Sequence, residues 1–421
     1  MAGIFKIKLF CRSAFIALIV LLTAPVSASS EAMLELIKIL RDKGNITDSE
    51  YELLRNAAVA DEDKIEASVS EVRQDVADNI GLSNKSMELA GWASKLRLRG
   101  DIRLRYHPQD KDPGGSRSRS RARYRLGVIA QPVDDWEVGA GLASGPSDSR
   151  STNQTFTNYF STKEINLDYA YAQYKINDKL KIIGGKFNNA NYLYTTSDLL
   201  WDSDINPEGF SVNYTLNSGE GTTFASTTFA NSGIWVLSEN KSSSDDPHMI
   251  YAQIGQNFES GNLFGALAGT YYTIEDITSL ESYGSNGSNS DFNFGGVYTL
   301  SGEIGVNEFM DSIIRTSLFM DWVTNSDTET GEDNGYMIGV KASSGPWSIK
   351  YSYADLEQNT WPDIFPDADR LDGLTGIKGH EFIFSYKVRN NIVLDIDYYS
   401  VRNDLIDEDL NMVQLDVNVK F

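Results

Sequence analysis

Residues 413–421 read Val-Gln-Leu-Asp-Val-Asn-Val-Lys-Phe and alternate apolar with polar side chains through to Phe421. A β-strand points successive side chains to opposite faces, so this stretch has an apolar face that includes Phe421 and a polar face. Residues 96–106 repeat the pattern, with Leu98, Ile102 and Tyr106 on one side and arginines on the other. The period of two predicts β-structure between these two ends.

Sixteen alternating segments lie in this region. They begin near residues 96, 119, 135, 165, 179, 208, 221, 248, 262, 291, 311, 335, 346, 379, 391 and 411. The short connections are 131–135, 177–178, 259–262, 344–346 and 390–391, and the long polar ones are 107–117, 145–164, 188–207, 231–247, 274–290, 325–334, 356–378 and 402–410. An even strand number with short and long connections in alternation is typical of a membrane barrel, with short turns in the periplasm. We therefore expect an all-β, transmembrane, antiparallel up-and-down β-barrel of about 16 strands over residues 94–421.

A soluble β-sandwich is the alternative, because its strands alternate as well. A sandwich buries its apolar face, whereas a membrane barrel turns that face to lipid and carries aromatic girdles near the strand ends. The chain has 21 Tyr, 19 Phe and 7 Trp, which is enough for such girdles. Its mean hydropathy is −0.32, as expected when lipid-facing and polar positions alternate. The barrel is the better interpretation.

Residues 1–28 are typical of a cleaved export signal. Three basic residues, the last of them Arg12, precede an apolar run at residues 14–22, and small residues lead up to Ala28. We expect cleavage after Ala28 and export to the cell outer membrane. A retained anchor is the alternative. The only cysteine, Cys11, would leave with the signal, so the mature chain would have no disulfide and no thiolate metal site.

Residues 29–93 have the composition of helices. Thr47 followed by Glu50 has the spacing of a capping box, within a predicted helical hairpin. Apolar residues then recur at the spacing of a coiled-coil seam of about two heptads: Ile65, Val69, Val72 and Val76. We expect a periplasmic helical hairpin followed by a short coiled coil. An amphipathic helix packed on its own hairpin is the alternative for the second segment.

The net charge is strongly acidic. It is −22 for the whole chain and −25 once the three basic signal residues are removed. Binding to phosphates needs a positive surface, so nucleic acid is not expected as a partner. The acidity suits a surface where divalent cations bridge to anionic lipid. We expect outer-membrane lipid and lipopolysaccharide as partners.

Several stretches resemble the putative porin family of Gram-negative proteobacteria. They are Leu98–Asp101, Arg103–Tyr106, Arg121–Leu126, Arg150–Thr155, Ile165–Asp168, Tyr171-Ala172, Ser197–Asp204 and Asn206–Gly209. The resemblance covers most of the mature chain, including the helical segment, and implies a trans-envelope channel for small hydrophilic solutes without naming one. The apolar alternation ending at Phe421 also looks like the signal for the barrel-assembly machinery.

An arginine ladder is the most informative group of side chains. Nine of the eighteen arginines lie within 29 residues: Arg97, Arg99, Arg103, Arg105, Arg117, Arg119, Arg121, Arg123 and Arg125. A charge on the lipid face costs about 2–4 kcal/mol at the bilayer midplane, so these arginines are expected to line the pore. Like charges this close are unfavourable without compensating carboxylates.

The layout also resembles that of sixteen-stranded general-diffusion porins, whose third loop folds into the lumen and whose usual state is a homotrimer. That resemblance implies four acids at a constriction opposite the arginines, three in the third long loop and one just beyond it: Asp198, Asp202, Asp204 and Glu208. Passive diffusion with a preference for anions would follow. The alternative is that the arginines only hold the loop in place.

Other features predict no chemistry. An acidic stretch at residues 327–333 lacks EF-hand spacing and is interpreted as a solvated loop. His107, His248 and His380 lack metal-ligand spacing and are expected to be surface or capping residues. We predict no cofactor, no metal site and no enzyme activity. An adhesin or structural envelope tether is the alternative function.

Overall fold

The computed structural model describes residues 35, 38, 39, 41–43, 47–53, 55, 56, 95–220, 225–241, 246–279, 287–311 and 313–421. The chain divides into two compact units, Met1–Gly91 and Trp92–Phe421. The predicted signal, its cleavage site and the coiled-coil seam lie outside the described residues.

In the first unit, residues 48–53 are helical and begin at the predicted capping box. The backbone N–H of Thr47 donates to Glu50 Oε2 at 2.8 Å. The backbone N–H of Glu50 is 3.3 Å from Thr47 Oγ1, so each side chain caps the other residue's backbone. The capping box is therefore present as the sequence predicts.

The second unit contains seventeen strands among the described residues. They are β1 (Leu96–Asp112), β2 (Gly115–Ala130), β3 (Trp136–Ser144), β4 (Gln154–Thr155), β5 (Ile165–Asn177), β6 (Leu180–Lys186), β7 (Glu208–Glu220), β8 (Ala225–Val236), β9 (His248–Ser260), β10 (Leu263–Glu275), β11 (Phe294–Val306), β12 (Arg315–Asn325), β13 (Asn334–Ser344), β14 (Trp347–Leu356), β15 (Ile377–Arg389), β16 (Ile392–Asn403) and β17 (Glu408–Lys420). Sixteen are long, and the two-residue β4 pairs with β2 beyond the end of β3. The described short helices are 3-10 turns in loops: Asn189–Asn191, Ile277–Ser279, Phe309–Asp311 and Leu371–Gly373.

The strands form one closed antiparallel sheet. Each long strand pairs with its neighbours in the chain, and β1 pairs with both β2 and β17. At the seam, the backbones of Gly100 and Phe421 exchange two hydrogen bonds of 2.9 and 3.0 Å. Closure leaves no free edge, as a bilayer requires. The predicted barrel of 16 strands is confirmed.

Two predicted loops differ from the structure: the loop predicted at 231–247 is too long, because β8 continues to Val236, and the loop at 107–117 is mostly strand. A loop is predicted at residues 107–117, but β1 continues to Asp112 and β2 begins at Gly115. Gln109 pairs with Arg117 in this extension, and Lys111 pairs with Gly115. The residues are polar on both faces here, so polarity suggested a loop where strand pairing in fact continues.

The outer face of the barrel is apolar. On β17, Leu415 faces outward and Gln414 and Asp416 are buried inward. Leu98 of β1 is 65% exposed, and similarly exposed apolar side chains recur on the other strands: Leu142, Leu167, Phe210, Ile254, Leu267, Leu300, Leu318, Ile338, Trp347 and Ile396. Soluble proteins rarely expose so large an apolar surface, so this face is suited to lipid.

Two loops fill much of the barrel interior. We call residues 187–207 the lumen loop and residues 357–376 the latch loop. The apolar core lies inside the barrel and includes Leu200 and Trp201 of the lumen loop and Trp361 and Phe365 of the latch loop. Inward side chains from β6 and from β8 to β17 belong to the same apolar cluster. The backbone N–H of Asp202 donates to Phe365 O at 2.8 Å, which joins the loops.

Candidate pore-lining site

The predicted pore-lining arginines lie on two paired strands. Arg103 is directly opposite Arg123 across the β1–β2 pair, and Arg105 is opposite Arg121. All nine arginines lie on the polar face of these two strands, and the opposite face carries outward residues such as Leu98. We call this surface of β1 and β2 the arginine wall.

Carboxylates from two distant parts of the chain compensate the centre of the arginine wall. Arg105 Nη2 is 2.7 Å from Asp416 Oδ2, and both side chains are 3% exposed. A second partner, Asp369 of the latch loop, is 3.2 Å from Arg105 Nη1. Arg103 lies 3.8 Å from Asp416 and donates to Asn153 Oδ1 at 2.7 Å. No pattern in the sequence indicates Asp416 and Asp369 as partners of Arg105.

Asp101 compensates the next pair of arginines. Its two carboxylate oxygens lie 2.8 Å from Arg123 Nη2 and 2.8 Å from Arg125 Nε. Asp204 of the lumen loop is 3.6 Å from Arg125 and 4.0 Å from Arg123. Asp101 and Asp204 together therefore balance the charge of this pair.

The ends of the arginine wall differ from its centre. Arg97 pairs with Glu137 of β3 at 2.7 Å. Arg117 is exposed on the extended β1–β2 hairpin. Among the described residues, Arg99, Arg117 and Arg119 have no carboxylate within 4.0 Å, and neither has Arg121, which lies opposite Arg105.

Arg119 and Arg121 face a cavity between the arginine wall and the two loops. Its volume is about 250 Å³. Arg119 Nη2 donates to Gln109 Oε1 at 2.6 Å, and Arg121 Nη2 is 3.3 Å from Ser151 Oγ. The Nε atoms of both arginines are buried without a hydrogen-bond partner among the described residues. Two guanidinium groups thus face this cavity with only neutral partners.

Polar contacts on three sides anchor the lumen loop. The backbone N–H of Tyr194 donates to Gln253 Oε1 of β9 at 2.8 Å, and that of Thr196 donates to Asp321 Oδ1 of β12 at 3.2 Å. On the side of the arginine wall, Thr152 Oγ1 donates to Asp204 Oδ2 at 2.9 Å. The loop therefore crosses the interior, with its acidic end towards the arginines.

The four predicted constriction acids separate in the structure. Asp202 and Asp204 line the cavity. Asp198 instead pairs with Arg370 of the latch loop at 2.8 Å. The placement of Glu208 is wrong, because β7 turns Ser211 inward and Glu208 shares the outward face of Phe210. Glu208 pairs there with Lys186 at 2.9 Å.

The electrostatic environment of these loop acids varies. Burial raises the pKa of the Asp202 carboxyl to about 7, although the backbone N–H groups of Ala368 and Asp204 donate to it. Burial would also raise the pKa of the Asp198 carboxyl, but Arg370 and Lys350 hold it below its ordinary range. Burial and the charge of Asp198 raise the pKa of Asp367 well above its usual range.

The histidines differ from expectation at one position. His107 is only 1% exposed and lies 3.2 Å from Arg119 Nη2, so it is neither a surface nor a capping residue. The reason is the extension of β1, which continues the alternation and turns His107 inward. His248 and His380 are partly exposed or exposed at strand positions.

No helix of the described chain is long and apolar enough to cross a membrane. In the same described ranges, no group of three or more His, Cys, Asp or Glu is arranged to hold a metal ion. In the acidic stretch 327–333, Asp327 Oδ2 accepts a hydrogen bond from the backbone N–H of Gly295 at 3.0 Å.

The apolar outer face and the closed sheet define a transmembrane β-barrel. The family model for putative porins matches residues 111–296. The resemblance to the putative porin family is thereby confirmed over this part of the chain. A search of curated proteins found no match.

Two solved structures of OprB from Pseudomonas putida share the fold. The high-pH structure has a TM-score of 0.54 at 12% identity, covering 79% of this chain and 96% of that chain. The low-pH structure has a TM-score of 0.50 at 12% identity, covering 81% of this chain and 98% of that chain. The chain thus resembles putative porins over residues 111–296, and its fold is that of the two OprB barrels.

Proposed function

We propose that this chain is an outer-membrane porin that gives small hydrophilic solutes passive diffusion along the arginine wall, with a preference for anions. The observation that carries the proposal is the pair Arg119 and Arg121, which faces the 250 Å³ cavity without a carboxylate within 4.0 Å among the described residues. A charged group lining a narrow passage sets its ion selectivity.

The acids around this cavity support the same sign of selectivity. Most of them form an ion pair with a basic side chain. Asp369 pairs with Arg105, Asp372 pairs with Lys111, and Asp204 lies near Arg123 and Arg125. Asp202 is the exception, and burial raises its pKa to about 7, so it carries only part of its charge near neutral pH. The arginines without carboxylates are therefore the least compensated charges here.

The lumen loop and the latch loop fill part of the lumen and so determine the width of the passage. The apolar core takes inward side chains from β6 and from β8 to β17, so solutes would pass through the space that the two loops leave beside the arginine wall. The acids and arginines facing each other there would create a transverse field that orients dipolar solutes.

The experiment is the reversal potential of the purified full chain in a planar bilayer under a potassium chloride gradient. We expect chloride to be favoured over potassium in the wild type and the preference to fall in the Arg119→Ala/Arg121→Ala double variant. Arg402→Ala is the matched control, because Arg402 faces outward and pairs with Asp404. A wild type without chloride preference, or a double variant as selective as the wild type, would contradict the proposal.

The same proposal includes the envelope partners. The outward apolar face would contact outer-membrane lipid and lipopolysaccharide, and its last members, Val419 and Phe421, would be read by the barrel-assembly machinery. A homotrimer is part of the proposal, by likeness to general-diffusion porins. Crosslinking of the native membrane would test the trimer: a single band at the monomer mass would rule it out.

A further inference from the structure

A second cavity lies nearer the short-turn end of the arginine wall, and its floor is made of tyrosines. Tyr169 and Tyr171 of β5 lie against glycines of the neighbouring strands on the inner face. A Cβ atom at Gly141 would lie 2.3 Å from the Tyr169 ring, and one at Gly139 would lie 2.6 Å from the Tyr171 ring. At Gly127 it would lie 1.8 Å from the Tyr169 hydroxyl. The rings thus occupy the space that side chains would fill.

The lumen loop supplies the opposite side of this cavity. Phe187 and Tyr192 are 0% and 1% exposed, and their ring centroids are 5.7 Å apart. Tyr192 donates its hydroxyl hydrogen to Gln173 Oε1 of β5 at 2.8 Å, which fixes the loop to the same strand as the tyrosines. The cavity has a volume of about 420 Å³, within the range of small-molecule sites.

The charged residues of this cavity have unequal partners. Glu137 accepts a hydrogen bond from the Tyr171 hydroxyl at 2.9 Å and pairs with Arg97 at 2.7 Å. Arg99 lines the cavity but has no carboxylate within 4.0 Å among the described residues. One guanidinium beside two aromatic rings is therefore left for a ligand.

We propose that this cavity is a binding station for cyclic monocarboxylates on the diffusion path. The ring of the solute packs on Tyr169 and Tyr171, and its carboxylate binds Arg99. Guanidinium binds carboxylate through two parallel hydrogen bonds, and aromatic rings stack on one another or pack against the C–H face of a sugar. This inference deepens the proposed function and rests on it, since the station needs a pathway open to anions.

Binding is measured by titration calorimetry on the detergent-solubilised full chain, with benzoate and glucuronate as the two ring acids. Acetate is the carboxylate without a ring, and benzyl alcohol and glucose are the rings without a charge. We expect at least one ring acid to bind about tenfold more tightly than acetate and than its neutral counterpart, the scale of one aromatic contact. Benzoate alone indicates a planar aromatic solute, glucuronate alone a sugar acid, and both indicate a site that accepts either ring.

Three single-residue variants test which side chains contact the ring acid. Arg99→Gln and Tyr169→Leu are each expected to weaken ring-acid binding about tenfold, and Gly139→Ala to weaken it by displacing the Tyr171 ring. Tyr174→Leu is the matched control, because Tyr174 lies on the same strand but faces outward, stacked on Trp136 at 4.9 Å. The shift of folded barrels on unheated electrophoresis verifies the fold of each variant.

The inference is overturned if neither ring acid binds better than acetate, if the neutral rings bind equally well, or if Arg99→Gln binds as tightly as the wild type. Calorimetry does not depend on conduction. A chain that binds benzoate but shows no chloride preference therefore contradicts the proposed function, whereas a chloride-selective channel without ring discrimination contradicts only the station.

Discussion

The arginine wall and the inner surface opposite it are built from strands with the same apolar–polar alternation, but their inward side chains differ in kind. On the wall, inward positions are charged and border open cavities. Across the lumen, inward positions of the strands contribute aromatic residues that pack on the loops. We call this cluster the aromatic plug: Trp201, Trp235, Tyr251, Tyr272, Trp361 and Phe365. Trp201 is its centre, with ring centroids at 5.2 Å from Trp235, 5.5 Å from Trp361 and 4.9 Å from Phe365.

The difference shows how a barrel can narrow its pore on one side only. Packed aromatic rings exclude water and hold the lumen loop, while charged side chains keep their surface hydrated. The arginine wall stays compatible with the interior because Asp101, Asp369 and Asp416 compensate Arg105, Arg123 and Arg125. Arg99, Arg119 and Arg121 have no carboxylate within 4.0 Å among the described residues. The charged side chains and the packed aromatic rings therefore lie on different sides of the lumen.

Removal of a ring from the aromatic plug should have the largest effect on this asymmetry. Trp361 is 0% exposed and donates its indole N–H to Leu200 O at 2.8 Å. We expect Trp361→Ala to lower the free energy of unfolding by about 3–5 kcal/mol. The single-channel conductance should also rise, because the lumen loop loses an anchor.

Urea unfolding and single-channel recording measure these two effects. Trp347→Ala is the control, since Trp347 faces outward and is 48% exposed. If Trp361→Ala lowers the free energy of unfolding but conducts like the wild type, the aromatic plug does not limit the pore.

The next largest effect should come from the centre of the arginine wall. Asp416→Ala leaves the buried guanidinium of Arg105 with Asp369 alone. We expect the free energy of unfolding to fall by about 3–5 kcal/mol, because a buried charge loses its closest partner. Glu137→Ala is the control: it removes the pair with Arg97, which is 47% exposed, and one hydrogen bond from the Tyr171 hydroxyl, for an expected loss of about 1–2 kcal/mol. Equal losses in urea unfolding for the two variants would show that the centre is no more dependent on its carboxylates than the end.

A smaller effect is expected at the barrel seam, which brings the arginine wall next to the last strand. A Cβ atom at Gly100 would lie 2.5 Å from the Phe421 ring and 2.8 Å from Arg125 O. We expect Gly100→Ala to cost about 1–3 kcal/mol in urea unfolding through overpacking. Gly269→Ala is the control, because a Cβ atom there would approach nothing closer than 3.9 Å. A cost no greater at Gly100 than at Gly269 would refute close packing at the seam.

The smallest effect concerns pH. Burial raises the pKa of Asp202 to about 7, so this carboxyl gains its charge as the pH rises through that value. Protonation removes a negative charge beside Arg119 and Arg121. The chloride preference should therefore increase modestly as the pH falls from about 8 to about 6, and the reversal potential measures it. Asp202→Asn should flatten this dependence; an unchanged slope would assign the titration to another group.

The sequence predicted most of the barrel because a single physical rule repeats along it. Apolar and polar side chains alternate along each strand, and sixteen such segments joined by short and long connections give the number of long strands in the barrel. The rule failed at residues 107–117, where polar residues gave no contrast between the two faces. Glu208 was misplaced by the resemblance to porin loops, although the alternation of Phe210, Val212 and Tyr214 puts it on the outward face. It also gave no sign that aromatic side chains would fill one side of the lumen.

What the sequence determined by itself is the face on which each strand residue lies. A period of two and the cost of placing charge in lipid turned the arginines inward and Phe421 outward. The tertiary structure alone decided which charges meet. Asp416 is 311 residues from Arg105 in the chain and becomes its closest partner because β17 pairs with β1. Closure sets that register, and the register decides which arginines have a carboxylate within 4.0 Å among the described residues.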